Sequence, residues 1–137
     1  MEQTLVFIKP DGVKRHIIGR ILTRFEEKGL SVSALKMLQL TDELADLHYE
    51  EHVDKPFYAN LKTFILSGPI VVMILSGEQA ISVVRKMVGS TDSASADPGT
   101  IRGDFSLYKG ENIIHASDSL KNAKREIDIF FDSTEIV

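Results

Sequence analysis

Four short apolar stretches, separated by segments whose apolar residues recur at helical spacing, predict a two-layer α/β sandwich with the strands in one sheet. Composition agrees: 43% hydrophobic and 26% charged residues over 137 positions are ordinary globular values, and no low-complexity tract or internal repeat interrupts them. A chain of this length makes about one domain, burying roughly two thirds of the surface exposed by its unfolded form. Residues 1–137 are therefore expected to form a single domain. Periodicity does not order the strands, and parallel and antiparallel sheets both satisfy it.

The first strand is expected over Thr4 to Ile8, closed by the turn chemistry of Lys9-Pro10-Asp11-Gly12. From Ile17, the residues Ile18, Ile21, Leu22 and Phe25 keep helical spacing, and Gly29 stands where a helix C-cap belongs. Val32 to Leu40 offers a second strand. Thr41-Asp42-Glu43 supplies an N-cap and acidic first turn for a helix through Tyr49, and another helical stretch runs from Pro56 to about Leu66. Gly68-Pro69 ends it. Ile70 to Leu75 is apolar on both faces and so reads as a central strand. Glu78 to Val88 is helical and stops at Gly89. Between Gly89 and Asn112 the pattern gives only a long loop, of a length that is usually functional in a compact domain. Ile113-Ile114 makes a brief strand, and Ser117-Asp118-Ser119 caps a last helix with Leu120, Ala123, Ile127 and Phe130 on one face.

Several function classes are disfavoured at once. The chain has no cysteine, which removes thiolate nucleophiles and zinc sites of the cysteine type and fits a reducing, cytoplasmic setting. A net charge of −4 argues against general nucleic-acid binding, whose affinity comes from a basic face. The N-terminal apolar run is too short for a signal peptide, and no run approaches membrane-spanning length. A soluble, unprocessed protein is expected. Neither the P-loop nor the G-x-G-x-x-G pattern is present, so any phosphate site must be built from side chains and a loop.

Four strings then stand out: Lys9-Pro10-Asp11-Gly12-Val13, Ser67-Gly68-Pro69, Pro98-Gly99-Thr100-Ile101-Arg102-Gly103-Asp104-Phe105 and Asn112-Ile113-Ile114-His115-Ala116-Ser117-Asp118-Ser119. In order and spacing they resemble nucleoside diphosphate kinases, and the resemblance covers essentially the whole chain. It implies an α+β, ferredoxin-like sandwich with an antiparallel four-stranded βαββαβ sheet and extra helices. It also implies ping-pong transfer of the γ-phosphoryl group of an NTP, typically ATP, to an NDP through a phosphohistidine at His115.

His115 is expected at a strand end just before a helix start, where free amides and the helix dipole favour a phosphoryl group. A neutral imidazole is an available nucleophile near pH 7. By resemblance, Ser117 and Glu126 support it, a carboxylate on one ring nitrogen orienting the other for attack. The resemblance also brings Lys9, Arg85 and Arg102 to the phosphates, where fixed cations stabilise transition-state charge. It assigns the Tyr49 hydroxyl to the transferred group, Thr91 to the phosphates, Asn112 with Lys9 to the ribose, and Phe57 to the base. In isolation each would read as a core aromatic, a loop residue or a surface charge. No carboxylate cluster suggests a protein-built cage, so Mg²⁺ is expected to arrive on the nucleotide, with Asp118 touching its water shell.

Three positions depart from the family pattern. Ala116 replaces a usual glycine, so a positive φ there would cost about 1 kcal/mol or more. Ser93 replaces a proline that stiffens the loop. Lys109 replaces an aliphatic residue near the base, where its stem still covers the ring. The early C-terminus resembles shorter bacterial members, leaving a homo-oligomer either tetrameric or hexameric. His48 and His52 have metal-capable i, i+4 spacing but lack the glutamate of a metalloprotease helix, and Arg102-Gly103-Asp104 is assigned to phosphate binding. The competing class is a non-enzymatic nucleotide-binding or phosphohistidine regulator on the same fold. The intact set of polar site residues argues against it.

Overall fold

The computed structural model describes residues 1–137. Four strands, β1 (Glu2–Ile8), β2 (Ser31–Leu38), β3 (Ile70–Gly77) and β4 (Ile114–Ala116), form one sheet in the order β2-β3-β1-β4. Every neighbouring pair is antiparallel, with Val6 opposite Met73 on one side and Phe7 opposite His115 on the other. This is the ferredoxin-like arrangement. It settles the strand directions that periodicity left open. β3 is buried along nearly its whole length, as an interior strand apolar on both faces must be.

Seven helices accompany the sheet: α1 (Pro10–Lys14), α2 (Ile18–Lys28), α3 (Asp42–His48), α4 (Tyr58–Ile65), α5 (Ala80–Val88), α6 (Ile101–Phe105) and α7 (Leu120–Phe130). Strand alternation divides the core. Val6, Ile8, Val71, Met73 and Leu75 point to one face, where Ile21 and Phe25 of α2 and Val84 and Val88 of α5 cover them. Leu5, Phe7, Val72 and Ile74 point to the other, covered by the extra helices through Ala45, Ile65, Ile127 and Phe130. His115 lies opposite Phe7 in the register and shares its face, so its ring enters the layer that holds α3 and α7.

Local signals account for most boundaries. Gly29 ends α2 at φ 105°, a left-handed position that only glycine takes without strain. The side chain of Thr41 caps α3 and that of Ser119 caps α7. Two helices were not expected. Lys9-Pro10-Asp11-Gly12 does not make a simple turn: Pro10 occupies the first position of α1, where its missing N–H costs nothing. Within the expected loop, the Thr100 hydroxyl accepts from the amide of Gly103 and starts α6. A Cβ on Gly103 would stand 2.0 Å from the carbonyl oxygen of Asp97, so glycine lets α6 fold tightly against the loop.

Candidate active site

A cavity of about 300 Å³ opens where the ends of β1 and β4 meet α3, α5 and α7. Lys9, Tyr49, Arg85, Thr91, Arg102, Asn112, His115, Asp118 and Glu126 line it, so nine of the residues singled out in the sequence converge there. Ser117 lies fully buried behind this wall and reaches it through Glu126.

His115 is the centre of the arrangement. Its Nε2 lies 2.9 Å from Oε1 of Glu126, and the Ser117 hydroxyl donates to the same oxygen at 2.6 Å. Ser117 is in turn fixed to β1, accepting from the amide of Leu5 at 3.3 Å. In the neutral imidazole, a carboxylate clamped in this way favours the tautomer that donates from Nε2, which puts the ring lone pair on Nδ1, an atom with no protein hydrogen bond. The ring stacks on Phe7 at 4.8 Å and meets the edge of His48 at 4.7 Å, yet its side chain keeps 22% of its exposure, enough to be reached.

The expected helix-start placement of His115 is not what is found. The imidazole belongs to β4, three residues intervene before the cap Ser119, and that cap already satisfies the amide of Asn122. Orientation comes from Glu126, in the second turn of α7, and cationic side chains supply the field. Ala116 also differs from expectation: it continues β4 opposite Val6 and is not among the positive-φ residues, so the anticipated strain is absent. Strain sits instead at Ile113, whose φ of 63° is costly for a β-branched residue. This kink lets the Ile113 carbonyl accept from Lys9 while its amide donates to Asp11.

The cations are held differently. Lys9 is buried and donates to Oδ1 of Asn112 at 2.7 Å. Burial, reinforced by the charge of Arg102 and opposed by that of Asp11, pushes its ammonium down to about 8. Arg102 is buried and donates to the carbonyls of Asn112, Gly89 and Ile114, which ties the loop to β4. Burial first, and the nearby Arg85 second, push it down to about 10, so it remains charged near neutral pH. Arg85 is exposed at the rim and donates to the carbonyl of Ala116. Asn112 spends both amide hydrogens on the carbonyls of Thr91 and Lys109, so only its Oδ1 retains capacity for a ligand.

Two expected base contacts lie apart. Phe57 is 51% exposed, beside Lys55 and 5.5 Å from the ring of His52, and it does not line the cavity. The side chain of Lys109 is exposed as well. Asp118 is at the rim, where the hydrogen bond from Asn122 holds its carboxyl below the usual range. Sequence reasoning missed Glu51, Asn122 and Arg125 as cavity residues, and took His48 and His52 only for a metal decoy. His48 groups with His115 and Glu126, not with His52, their ligand atoms lying within 4.8 Å. Burial, helped by His115 and Arg125, pushes His48 well below the usual histidine range, so it is neutral. The i, i+4 relation of His48 to His52 was visible, but the pairing of His48 with a strand 67 positions away had no local signal.

Lysine and arginines converging on a carboxylate-backed imidazole, with no glycine-rich cradle, define a phosphoryl-transfer site built from side chains. Comparison with known proteins gives the family. The nucleoside diphosphate kinase profile matches residues 2–136. A nucleoside diphosphate kinase of Staphylothermus marinus is 57% identical over 136 residues, spanning 99% of this chain and 96% of the relative. That of Methanothermobacter thermautotrophicus is 54% identical, spanning 99% and 91%. The structure of a Halobacterium salinarum nucleoside diphosphate kinase in complex with CDP superposes with a TM-score of 0.96 at 48% identity, covering 99% of this chain and 91% of that one. The chain belongs to the nucleoside diphosphate kinase family and has the corresponding activity, phosphoryl transfer from nucleoside triphosphates to nucleoside diphosphates.

Proposed function

We propose that the exchange runs in two half-reactions through a phosphohistidine at His115. The observation that carries this reading is the Ser117–Glu126–His115 chain, which leaves Nδ1 with a free lone pair at the cavity wall. That lone pair attacks the γ-phosphorus of an NTP, the bond from phosphorus to the bridging oxygen breaks, and the NDP leaves with its electrons. Glu126 stabilises the imidazolium-like ring through the Nε2 proton. A terminal phosphate oxygen of a second NDP then attacks phosphorus, the N–P bond breaks, and neutral His115 returns.

Lys9, Arg102 and Arg85 stabilise the charge that spreads over the transferred group. The Tyr49 hydroxyl, kept protonated by burial and lacking a protein partner, is a donor for the same oxygens. Thr91 contacts the phosphates, Asn112 Oδ1 with Lys9 takes a ribose hydroxyl, and Phe57 and Lys109 flank the base. An exposed Phe57 offers stacking of about 1 kcal/mol to any base, consistent with broad NDP acceptance. A Mg²⁺ ion carried by the nucleotide would be held mainly by phosphate oxygens and water, and would supply neutralisation of phosphate charge. Ionised Asp118 at the rim is suited to its water shell. No helix is long and apolar enough to cross a membrane. The absence of cysteine supports a cytoplasmic protein.

Initial rates over a grid of ATP and a different NDP test the two-step scheme. Parallel double-reciprocal lines are expected, and intersecting lines would mean direct transfer in a ternary complex.

A further inference from the structure

Arg125 precedes Glu126 on α7 and has no part in the scheme above, although its guanidinium lines the same cavity. It reaches across to the end of α3, where Nη1 donates to the carbonyl of Leu47 at 3.1 Å and Nη2 to that of His48 at 3.2 Å. A helix end leaves four carbonyls without intrahelical donors. At α3, the amide of Tyr49 serves Ala45, and Arg125 serves the last two. The same guanidinium lies 4.0 Å from Oε2 of Glu126, the oxygen that His115 and Ser117 leave free, and 3.6 Å from Glu50. One planar cation thus joins the helix end bearing His48 and Tyr49 to the helix bearing the carboxylate.

Much depends on where that helix end sits. His48 closes one side of the His115 ring edge-on while Phe7 stacks on it, so a shift of α3 would release the imidazole. Nδ1 of His48 and the hydroxyl of Tyr49 are buried without a protein hydrogen bond, so no polar contact of their own holds either side chain in place. Reactive geometry tolerates little error, a misplacement of about 1 Å costing on the order of 10²-fold in rate.

We propose that Arg125 is a positioning residue of the transfer site, docking the end of α3 onto α7 so that His48 and Tyr49 stay in register with the His115–Glu126 pair. This inference rests on the reading of His115 as the nucleophile. A lysine could supply the charge but not a planar fork for two adjacent carbonyls.

The test compares the parent, Arg125→Met and Arg125→Lys in single-turnover phosphorylation by ATP and in steady-state exchange, with Tm measured for each. Arg125→Met keeps most of the packing stem, and its phosphorylation rate should fall about ten-fold or more while KM for the NDP stays within about three-fold. Arg125→Lys should fall between the two. A rate for Arg125→Met within about two-fold of the parent, or a loss confined to KM, would overturn the assignment. Should Arg125→Met not fold, Arg125→Lys decides alone: a loss of about three-fold at unchanged KM supports the role, and a parental rate refutes it. Failure of the parent itself to form a phosphoenzyme would instead remove the nucleophile reading, and this inference with it.

Discussion

Lys9 shows how burial sets chemistry at the scale of one residue. It sits at the end of β1, stripped of water beside Arg102, and its ammonium is pushed down to about 8 from 10.5. A lowered amine pKa means that the charge is complete near pH 6 and is lost as pH rises through about 8. Because kcat/KM reports the free enzyme, it should decline about ten-fold per pH unit above that point. Bound phosphates favour the charged form, so kcat should hold to higher pH. A kcat/KM that stays level to about pH 9.5 would show that the Lys9 charge is not needed. Lys9 also illustrates what the residues reveal unaided: its place between a strand and a rigid turn marked it out, but its bond to Asn112, 103 positions away, needed the fold.

At the scale of elements, the helices with a full apolar stripe and an explicit cap, α2, α3 and α7, were readable within a few residues. The five-residue α1 and α6 were not. Each has a proline or glycine that also serves as a turn signal, and neither is long enough to show a period. β2 is an edge, bulged at Ser33 where the amide of Val137 binds the Ser33 carbonyl, and it exposes Leu35 and Met37 by 49% and 56%. An edge with apolar side chains invites pairing with another chain, which supports the homo-oligomer, tetramer or hexamer, that the family resemblance implies. Light scattering should give a mass several times the 15.3 kDa chain, and a monomer at working concentration would refute this reading.

Across the whole molecule, the antiparallel sheet explains why the site stands where it does. The order β2-β3-β1-β4 sets β4 beside β1, which brings His115 next to Lys9 and Phe7, while the crossing of α7 over that face delivers Glu126. Periodicity found the four strands but could not orient them; motif resemblance supplied the antiparallel ferredoxin-like sheet and named nine of the residues that line the cavity. What neither provided were the long-range partners that orient the residues, such as His48 and Arg125, because nothing local distinguishes them from a core histidine and a surface arginine. In the proposed scheme His115 carries the phosphoryl group between nucleotides. The most direct test mixes the protein with ATP alone, maps the bound phosphate by mass spectrometry, and then adds an NDP. One acid-labile, base-stable phosphoryl group is expected on His115, discharged to the NDP as a new NTP and absent from His115→Asn, which should also lose turnover. Phosphate on another residue, or near-parental turnover in His115→Asn, would contradict the scheme.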